Sequence, residues 1–246
     1  MSDMITFKAD GAEVQGKKGA SLLETLLREG FEIPNLCHHE AVGAYGACRL
    51  CLVEIRRHGR ARIATSCNYP VMEGIEVATA SEKVLRLRRT ILELHLANTP
   101  RSEPLRRYAA RLGVHETRFK SADPGNDCIL CGLCERVCAE VVGVNAISFN
   151  RRGGARRLAP PFVEISEECI ACGACVYVCP VDCIKLEQTS THRTIDRWGR
   201  VVPLEKSEKS GVFFAPTAQL EYFRRLVGLP KDFYKLAPGE RSFPRE

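Results

Sequence analysis

Asp127-Cys128-Ile129-Leu130-Cys131-Gly132-Leu133-Cys134-Glu135-Arg136-Val137-Cys138 and Cys169-Ile170-Ala171-Cys172-Gly173-Ala174-Cys175-Val176-Tyr177-Val178-Cys179-Pro180 repeat one pattern, C-x2-C-x2-C-x3-C. The shared core Cys-Ile-x-Cys-Gly-x-Cys marks an internal repeat. A thiolate is a soft donor that suits both ferric and ferrous iron, and a sulfide-bridged cluster takes four of them. Three closely spaced cysteines wrap one corner of a cubane, and the fourth reaches across to the other cluster. By that logic Cys128, Cys131, Cys134 and Cys179 hold one [4Fe–4S] cluster, and Cys138, Cys169, Cys172 and Cys175 hold a second. Pro180 matches the proline that usually ends such a run, and Ala139 departs from it in the first half. A zinc site stops at four ligands with spacers between its pairs, which fits these runs poorly.

Working outward toward the N-terminus, Cys37-x10-Cys48-x2-Cys51-x15-Cys67 forms a third set of four. The plant-type [2Fe–2S] spacing is C-x4-C-x2-C…C. The longer first loop still permits that site, with Cys48 and Cys51 as the tight pair and Cys37 and Cys67 closing around it. A structural zinc is the alternative on spacing alone. Cys183 is the thirteenth cysteine and is expected to be a buried structural thiol. His38 and His39 follow Cys37 directly and are expected at surface or supporting positions, because four cysteines are already available. His95 and His115 have no cysteine at ligand spacing.

The chain has 246 residues, enough for one to three small domains. No N-terminal stretch has the basic start, apolar run and small-residue cleavage site of a secretory signal. Reduced thiols and a cytoplasmic location are therefore expected, and thirteen cysteines in that setting point to metal rather than disulfides. No stretch approaches the roughly 18 consecutive apolar residues of a membrane span. Net charge is +6, and residues 81–120 alone supply it, with ten Lys/Arg against four Glu. Arg151, Arg152, Arg156 and Arg157 form a second basic knot. Two explanations stay open for both, a solvated face or contact with an acidic partner. No nucleic-acid reader motif accompanies the charge. No G-x-G-x-x-G, P-loop, paired carboxylates or nucleophile–base pair stands out, so no catalytic residue is assigned.

Residues 1–80 read as a small mixed domain. Strands over Met4–Lys8 and Glu13–Gln15 flank a turn at Asp10-Gly11, and Ser21 caps a helix over Leu22–Glu29 that stops at Gly30. Further strands are expected over Leu52–Ile55 and Gly74–Val77. Residues 81–122 read as a helical linker. Ser81 opens a helix to about Leu96, with Val84, Leu87, Ile91 and Leu94 on its apolar face, and a short helix follows over Leu105–Leu112. Residues 123–187 hold the paired runs, each followed by a strand-like segment, Ala146–Phe149 or Cys183–Leu186. Residues 188–246 read as an irregular, aromatic-rich tail with one helix near Ala218–Leu226. Its Phe213, Phe214, Phe223, Phe233 and Phe243 are too many to bury in so short a segment, so it either packs across the cluster domains or docks on another subunit, and truncation after about Glu187 is expected to leave the clusters intact and weaken assembly.

This arrangement resembles the iron–sulfur subunit of NAD-linked soluble hydrogenases and the N-terminal part of the large iron–sulfur subunit of respiratory complex I. It is also similar to the N-terminal region of multimeric iron-only hydrogenases and NAD-dependent formate dehydrogenases. The resemblance covers roughly residues 4–187 and is carried by the three cysteine sets. It implies an α+β fold: a [2Fe–2S] ferredoxin-like β-grasp domain, a helical linker, and a two-cluster bacterial-ferredoxin-like domain. It implies an electron relay between an FMN- and NAD(P)-binding flavoprotein subunit and a terminal redox subunit. The family usually carries a further cubane on His-x3-Cys-x2-Cys-x5-Cys, whose positions are Thr99, Glu103, Arg106 and Leu112 here. None of these is a soft donor, so the expected cofactors are one [2Fe–2S] and two [4Fe–4S] clusters. Two alternatives remain, the iron–sulfur subunit of a fumarate- or succinate-type reductase and a redox-sensing cluster protein. The x10 gap argues against the first, and three cluster sets on one chain against the second.

Overall fold

The computed structural model describes residues 3–241. They form two compact units that divide between Leu133 and Cys134. The first opens with an antiparallel hairpin, β1 (Met4–Ala9) and β2 (Ala12–Lys17), turned at Asp10-Gly11 with both residues at positive φ. Ile5, Phe7 and Ala9 alternate with exposed residues, so one face of β1 enters the core. α1 (Leu22–Arg28) is capped by Ser21, whose hydroxyl accepts from the Glu24 N–H, and buries Leu22, Leu23 and Leu26. It lies close to β2 because Gly16 has no side chain. A Cβ there would sit 2.9 Å from the Thr25 methyl.

β3 (Leu52–Arg57), β4 (Arg60–Thr65) and β5 (Glu76–Ala78) complete a five-stranded sheet in the order β2-β1-β5-β3-β4. The β1–β5 pair is parallel and the others antiparallel. Phe7, Val14, Leu26, Val53, Ile55, Ile75 and Val77 pack between sheet and helix, the mixed layer arrangement expected of a β-grasp domain. β4 was not foreseen. His58-Gly59, both at positive φ, form the two-residue turn that pairs Arg57 with Arg60 and folds β4 back along β3.

α2 (Glu82–Asn98) and α3 (Glu103–Arg111) follow, capped by Ser81 and Ser102. The buried stripe of α2 runs through Val84, Arg88, Leu92 and Leu96, whereas Leu94, expected inside, is 48% exposed. The apolar face is therefore rotated from the expected one, and an arginine sits in its centre.

In the second unit, α4 (Leu133–Arg136) runs on into a π-helical turn, Val137–Val142. β6 (Ser148–Asn150) and β7 (Arg157–Ala159) form a short antiparallel ribbon, and α5 (Ala174–Tyr177) follows the second cysteine run. The segment expected to be an irregular tail is instead ordered. β8 (Leu186–Gln188), β9 (His192–Ile195), β10 (Arg200–Lys206) and β11 (Phe213–Pro216) make an antiparallel four-stranded sheet. α6 (Thr217–Leu226) closes it, and the Tyr222 hydroxyl donates to the Val142 carbonyl at 2.6 Å. Phe213, Phe214, Phe223 and Phe233 are half-buried, and Phe243 lies outside the described residues.

Candidate metal centres

In the first unit the folding of β3 against β4 explains the fifteen-residue gap between Cys51 and Cys67. Cys51 immediately precedes Leu52, Leu52 pairs with Thr65, and Cys67 lies two residues past Thr65. Both thiols thus arrive at one end of the hairpin. Ser66 ties that end by donating its N–H (2.9 Å) and hydroxyl (2.8 Å) to the Cys51 carbonyl. Cys37, Cys48, Cys51 and Cys67 are all at most 4% exposed. They associate as two pairs. Cys48 is pushed up by its hydrogen bond with Cys37 and by burial, and the Cys67 thiol, donating to Cys51, holds Cys51 down at about 6. The Leu36 N–H donates to Cys48 Sγ and the Cys48 N–H to Cys37 Sγ, each at 3.4 Å. Four buried thiols with backbone N–H groups aimed at the sulfurs make a donor set suited to an anionic, thiolate-bound cluster.

α2 braces this ligand loop from behind. Arg88 is 6% exposed and donates from Nε to the Leu50 carbonyl (3.1 Å) and from Nη2 to the Leu52 carbonyl (2.5 Å). Burial lowers its pKa, and Cys51 is the main group opposing that. His95 Nε2 donates to the Cys48 carbonyl at 2.9 Å, so the histidine supports the loop without facing a thiol as a ligand. Sequence reasoning missed Arg88; the only available signal was its place on the α2 stripe between Val84 and Leu92. His39 Nδ1 accepts from the Ala41 N–H at 3.1 Å, and His115 is exposed.

The two C-x2-C-x2-C runs share their backbone as well as their spacing. Leu130 and Ala171, at the same position of each, have φ of 55° and 54°, and the glycines two residues later are also left-handed. This turn aims an amide at the preceding sulfur. The Leu130 N–H donates to Cys128 Sγ at 3.4 Å, and the Ala171 N–H does the same for Cys169. A left-handed non-glycine residue carries a steric cost, and two at matched positions fit a ligand-directed turn.

Within the second unit Cys138, Cys169, Cys172 and Cys175 line one small cavity, with Ile147, Ile195 and Trp198 in its wall. The Ala146 and Ile147 N–H groups donate to Cys138. Burial pushes Cys175 up to about 12, opposed by a 3.4 Å hydrogen bond from the Trp198 indole N–H to its sulfur. Among the described residues no three His, Cys, Asp or Glu side chains are arranged around a single ion. The cavity has four soft donors, an otherwise apolar wall and N–H donors to the sulfurs, and these fit a multi-atom cluster.

Trp198 also places the segment beyond Glu187: its β9–β10 hairpin packs on the loop that carries Cys169 and Cys175, the first of the two arrangements expected for it. The expectation for Cys183 needs correction. It is half-buried, and its sulfur lies 3.6 Å from Cys179, whose pKa its thiol hydrogen bond holds at about 6.

Thr99, Glu103, Arg106 and Leu112 have other partners. Thr99 Oγ1 donates to the His95 carbonyl, Arg106 pairs with Glu103, and Leu112 caps α3. No helix of the described residues is long and apolar enough to cross a membrane.

Two family models match the chain, a 2Fe-2S iron-sulfur cluster binding domain over residues 2–82 and a 4Fe-4S dicluster domain over residues 124–186. These define an iron–sulfur protein of α+β fold. The NADPH-Fe(3+) oxidoreductase subunit alpha of Geobacter sulfurreducens is 36% identical over 176 residues, covering 62% of this chain and 20% of that protein. The NADH-ubiquinone oxidoreductase 75 kDa subunit of Reclinomonas americana is 31% identical over 61% of this chain and 25% of its own length. The NADP-reducing hydrogenase subunit HndD of Solidesulfovibrio fructosivorans is 30% identical over 65% and 32%. The chain thus spans a fifth to a third of these relatives. A crystal structure of an NAD+-reducing [NiFe]-hydrogenase in the H2-reduced state superposes with a TM-score of 0.57 at 32% identity, covering 63% of this chain and 74% of that one. The chain belongs to the family of iron–sulfur electron-transfer subunits of NAD(P)-linked hydrogenases and related oxidoreductases.

Proposed function

We propose that this chain relays electrons, in the cytoplasm, between an FMN- and NAD(P)-binding flavoprotein subunit and a terminal redox subunit such as a hydrogenase, formate dehydrogenase or other reductase. Cys37, Cys48, Cys51 and Cys67 hold a [2Fe–2S] cluster. Cys128, Cys131, Cys134 and Cys179 hold one [4Fe–4S] cluster, and Cys138, Cys169, Cys172 and Cys175 hold the other. Bound there, the clusters supply reversible one-electron chemistry. The protein's own part is to bury the ligands, aim N–H groups at their sulfurs and exclude water from around them.

The observation that carries this reading is the cavity of the second unit. Cys138 lies more than thirty residues before Cys169, yet it lines one space with Cys169, Cys172 and Cys175, as cross-ligation requires. All thirteen cysteines are free of disulfides, which suits a reducing compartment.

Anaerobic reconstitution with iron analysis and Mössbauer spectroscopy tests the count. About ten irons per chain are expected, and about fourteen would demand a further cubane. Cys138→Ala and Cys128→Ala test the assignment, since they should damage different [4Fe–4S] centres. Loss of the same centre in both variants would overturn it.

A further inference from the structure

Beyond the ligands, one hairpin concentrates its polar side chains on a single cysteine loop. β9 and β10 are joined by the tight turn Asp196–Trp198, in which Ile195 pairs with Arg200. The turn is held from both sides. Asp196 Oδ1 accepts from the Lys185 N–H at 2.7 Å, and Arg197 Nη1 donates to the Cys183 carbonyl at 3.0 Å. The Trp198 ring is therefore fixed, 4% exposed, with its N–H on the Cys175 sulfur at 3.4 Å. Arg200 Nε donates to the Cys169 carbonyl at 2.9 Å, and Arg193 Nη1 donates to the Ala171 carbonyl at 3.2 Å. One side-chain donor thus reaches a cysteine sulfur, and two cations grip the loop that carries Cys169 and Cys172. Both family models end before this hairpin, at residue 186 or earlier.

We propose that the β9–β10 hairpin is a tuning strap for the second cubane, holding its reduction potential above the value its four thiolates would set alone. The proposal rests on Cys138, Cys169, Cys172 and Cys175 being that cluster's ligands. Reduction adds a negative charge to the cluster, so an N–H donated to a ligand sulfur stabilises the reduced state more than the oxidised one. Burial by Ile195 and Trp198 works in the opposite direction by removing water. The Trp198 N–H faces the Cys175 sulfur directly, and the half-exposed guanidinium groups of Arg193 and Arg200 lie on the carbonyls of the same loop. Trp198 and the two arginines are positioning and tuning residues, not ligands.

The test uses the full chain, anaerobically reconstituted, with EPR-monitored redox titration. Trp198→Phe keeps the ring and removes the N–H. It should retain iron and lower one [4Fe–4S] potential by about 59 mV, a tenfold change for one electron, leaving the other centres in place. Full iron with every potential unchanged would overturn the strap. Trp198 is the only tryptophan in the chain, so 15N-indole labelling of the unaltered protein gives a second readout that survives a folding failure of the variant. A resolved 15N coupling to one reduced [4Fe–4S] centre is expected, and its absence would overturn the proposal. Cys175→Ala separates the underlying assignment. If that variant keeps both [4Fe–4S] centres, the ligand set is wrong. If it loses one while Trp198→Phe changes nothing, the strap alone is wrong.

Discussion

Arg88→Met is the most informative single change in the first unit. Methionine keeps much of the side chain's apolar length on the α2 face but strips the donors from the Leu50 and Leu52 carbonyls, which flank Cys51. Each hydrogen bond from a charged donor contributes about 1.5–3 kcal/mol. Part of the gross loss is offset because the variant no longer buries a cation. A net destabilisation of about 2–4 kcal/mol follows from those two terms. Against a domain stability of roughly 5–15 kcal/mol this is a large fraction. The assay is urea unfolding of the anaerobically loaded chain, followed by bleaching of the [2Fe–2S] absorption, with Arg86→Met as the control. Arg86 is on the same helix but exposed, so its loss should cost within about 0.5 kcal/mol. Arg88→Lys should fall between the two, because an ammonium lacks the guanidinium fork that spans both carbonyls. If Arg88→Met unfolds with Arg86→Met, the clamp carries no stability and the buried arginine needs another explanation.

Three further outcomes are expected. Truncation after Glu187 removes Trp198, Arg193 and Arg200, so it should abolish or shift the centre held by Cys175 while the [2Fe–2S] spectrum persists; unchanged [4Fe–4S] spectra would show that the hairpin is dispensable. Tyr108→Phe removes hydroxyl bonds to the Asn35 carbonyl (3.1 Å) and from the Asn35 N–H (2.9 Å), and should cost about 1–2 kcal/mol in urea unfolding. Burial raises the Tyr108 pKa from 10.0 to about 12, so its contribution is complete below pH 10 and fades as pH rises toward 12. The gap between wild type and Tyr108→Phe should narrow across that window, and a constant gap would contradict the assignment. Gly16→Ala should destabilise the first unit by about 1–3 kcal/mol, because its Cβ would meet Thr25 at 2.9 Å and Val71 at 3.2 Å; thermal unfolding at the wild-type temperature would refute it.

The turn between α2 and α3 shows what became of a segment whose family pattern carries ligands. Thr99 is fully buried and returns its hydroxyl to α2 at His95. Ser102 caps α3 through the Leu105 N–H, and Arg106 donates to the Pro100 carbonyl while pairing with Glu103. These are ordinary helix-end contacts. α3 has a task of its own, because Tyr108 binds both backbone groups of Asn35, two residues before Cys37. The helical linker therefore supports the [2Fe–2S] loop from two sides, α3 at Asn35 and α2 at Leu50, Leu52 and Cys48.

The two iron–sulfur domains were legible in the sequence because cysteine spacing is local: spacing, softness and count point to such domains before any folding is known. The Asp10-Gly11 hairpin and the Ser21 and Ser81 caps were legible for the same reason, each being written within a few residues. What escaped depends on pairing over longer distances. β4 has Arg60 and Arg62 on its exposed side and reads as polar until His58-Gly59 is recognised as a two-residue turn after an alternating strand. β9 and β11 have four residues each and β10 contains Pro203, with Gly199 and Gly211 in the connections, so each looks irregular until it is paired with its neighbours. Arg88 escaped because charge patterning assigns arginine to solvent, and only the Leu50 and Leu52 carbonyls make its burial tolerable. Trp198 escaped for the same reason as β9. Nothing within five residues of it is a ligand, and its partner Cys175 lies twenty-three residues earlier. Candidate ligands can thus be proposed from spacing, but the groups around them come from long-range pairing: Arg88 and His95 reach the first unit's cysteine loop from α2, and Trp198 reaches Cys175 from the β9–β10 hairpin.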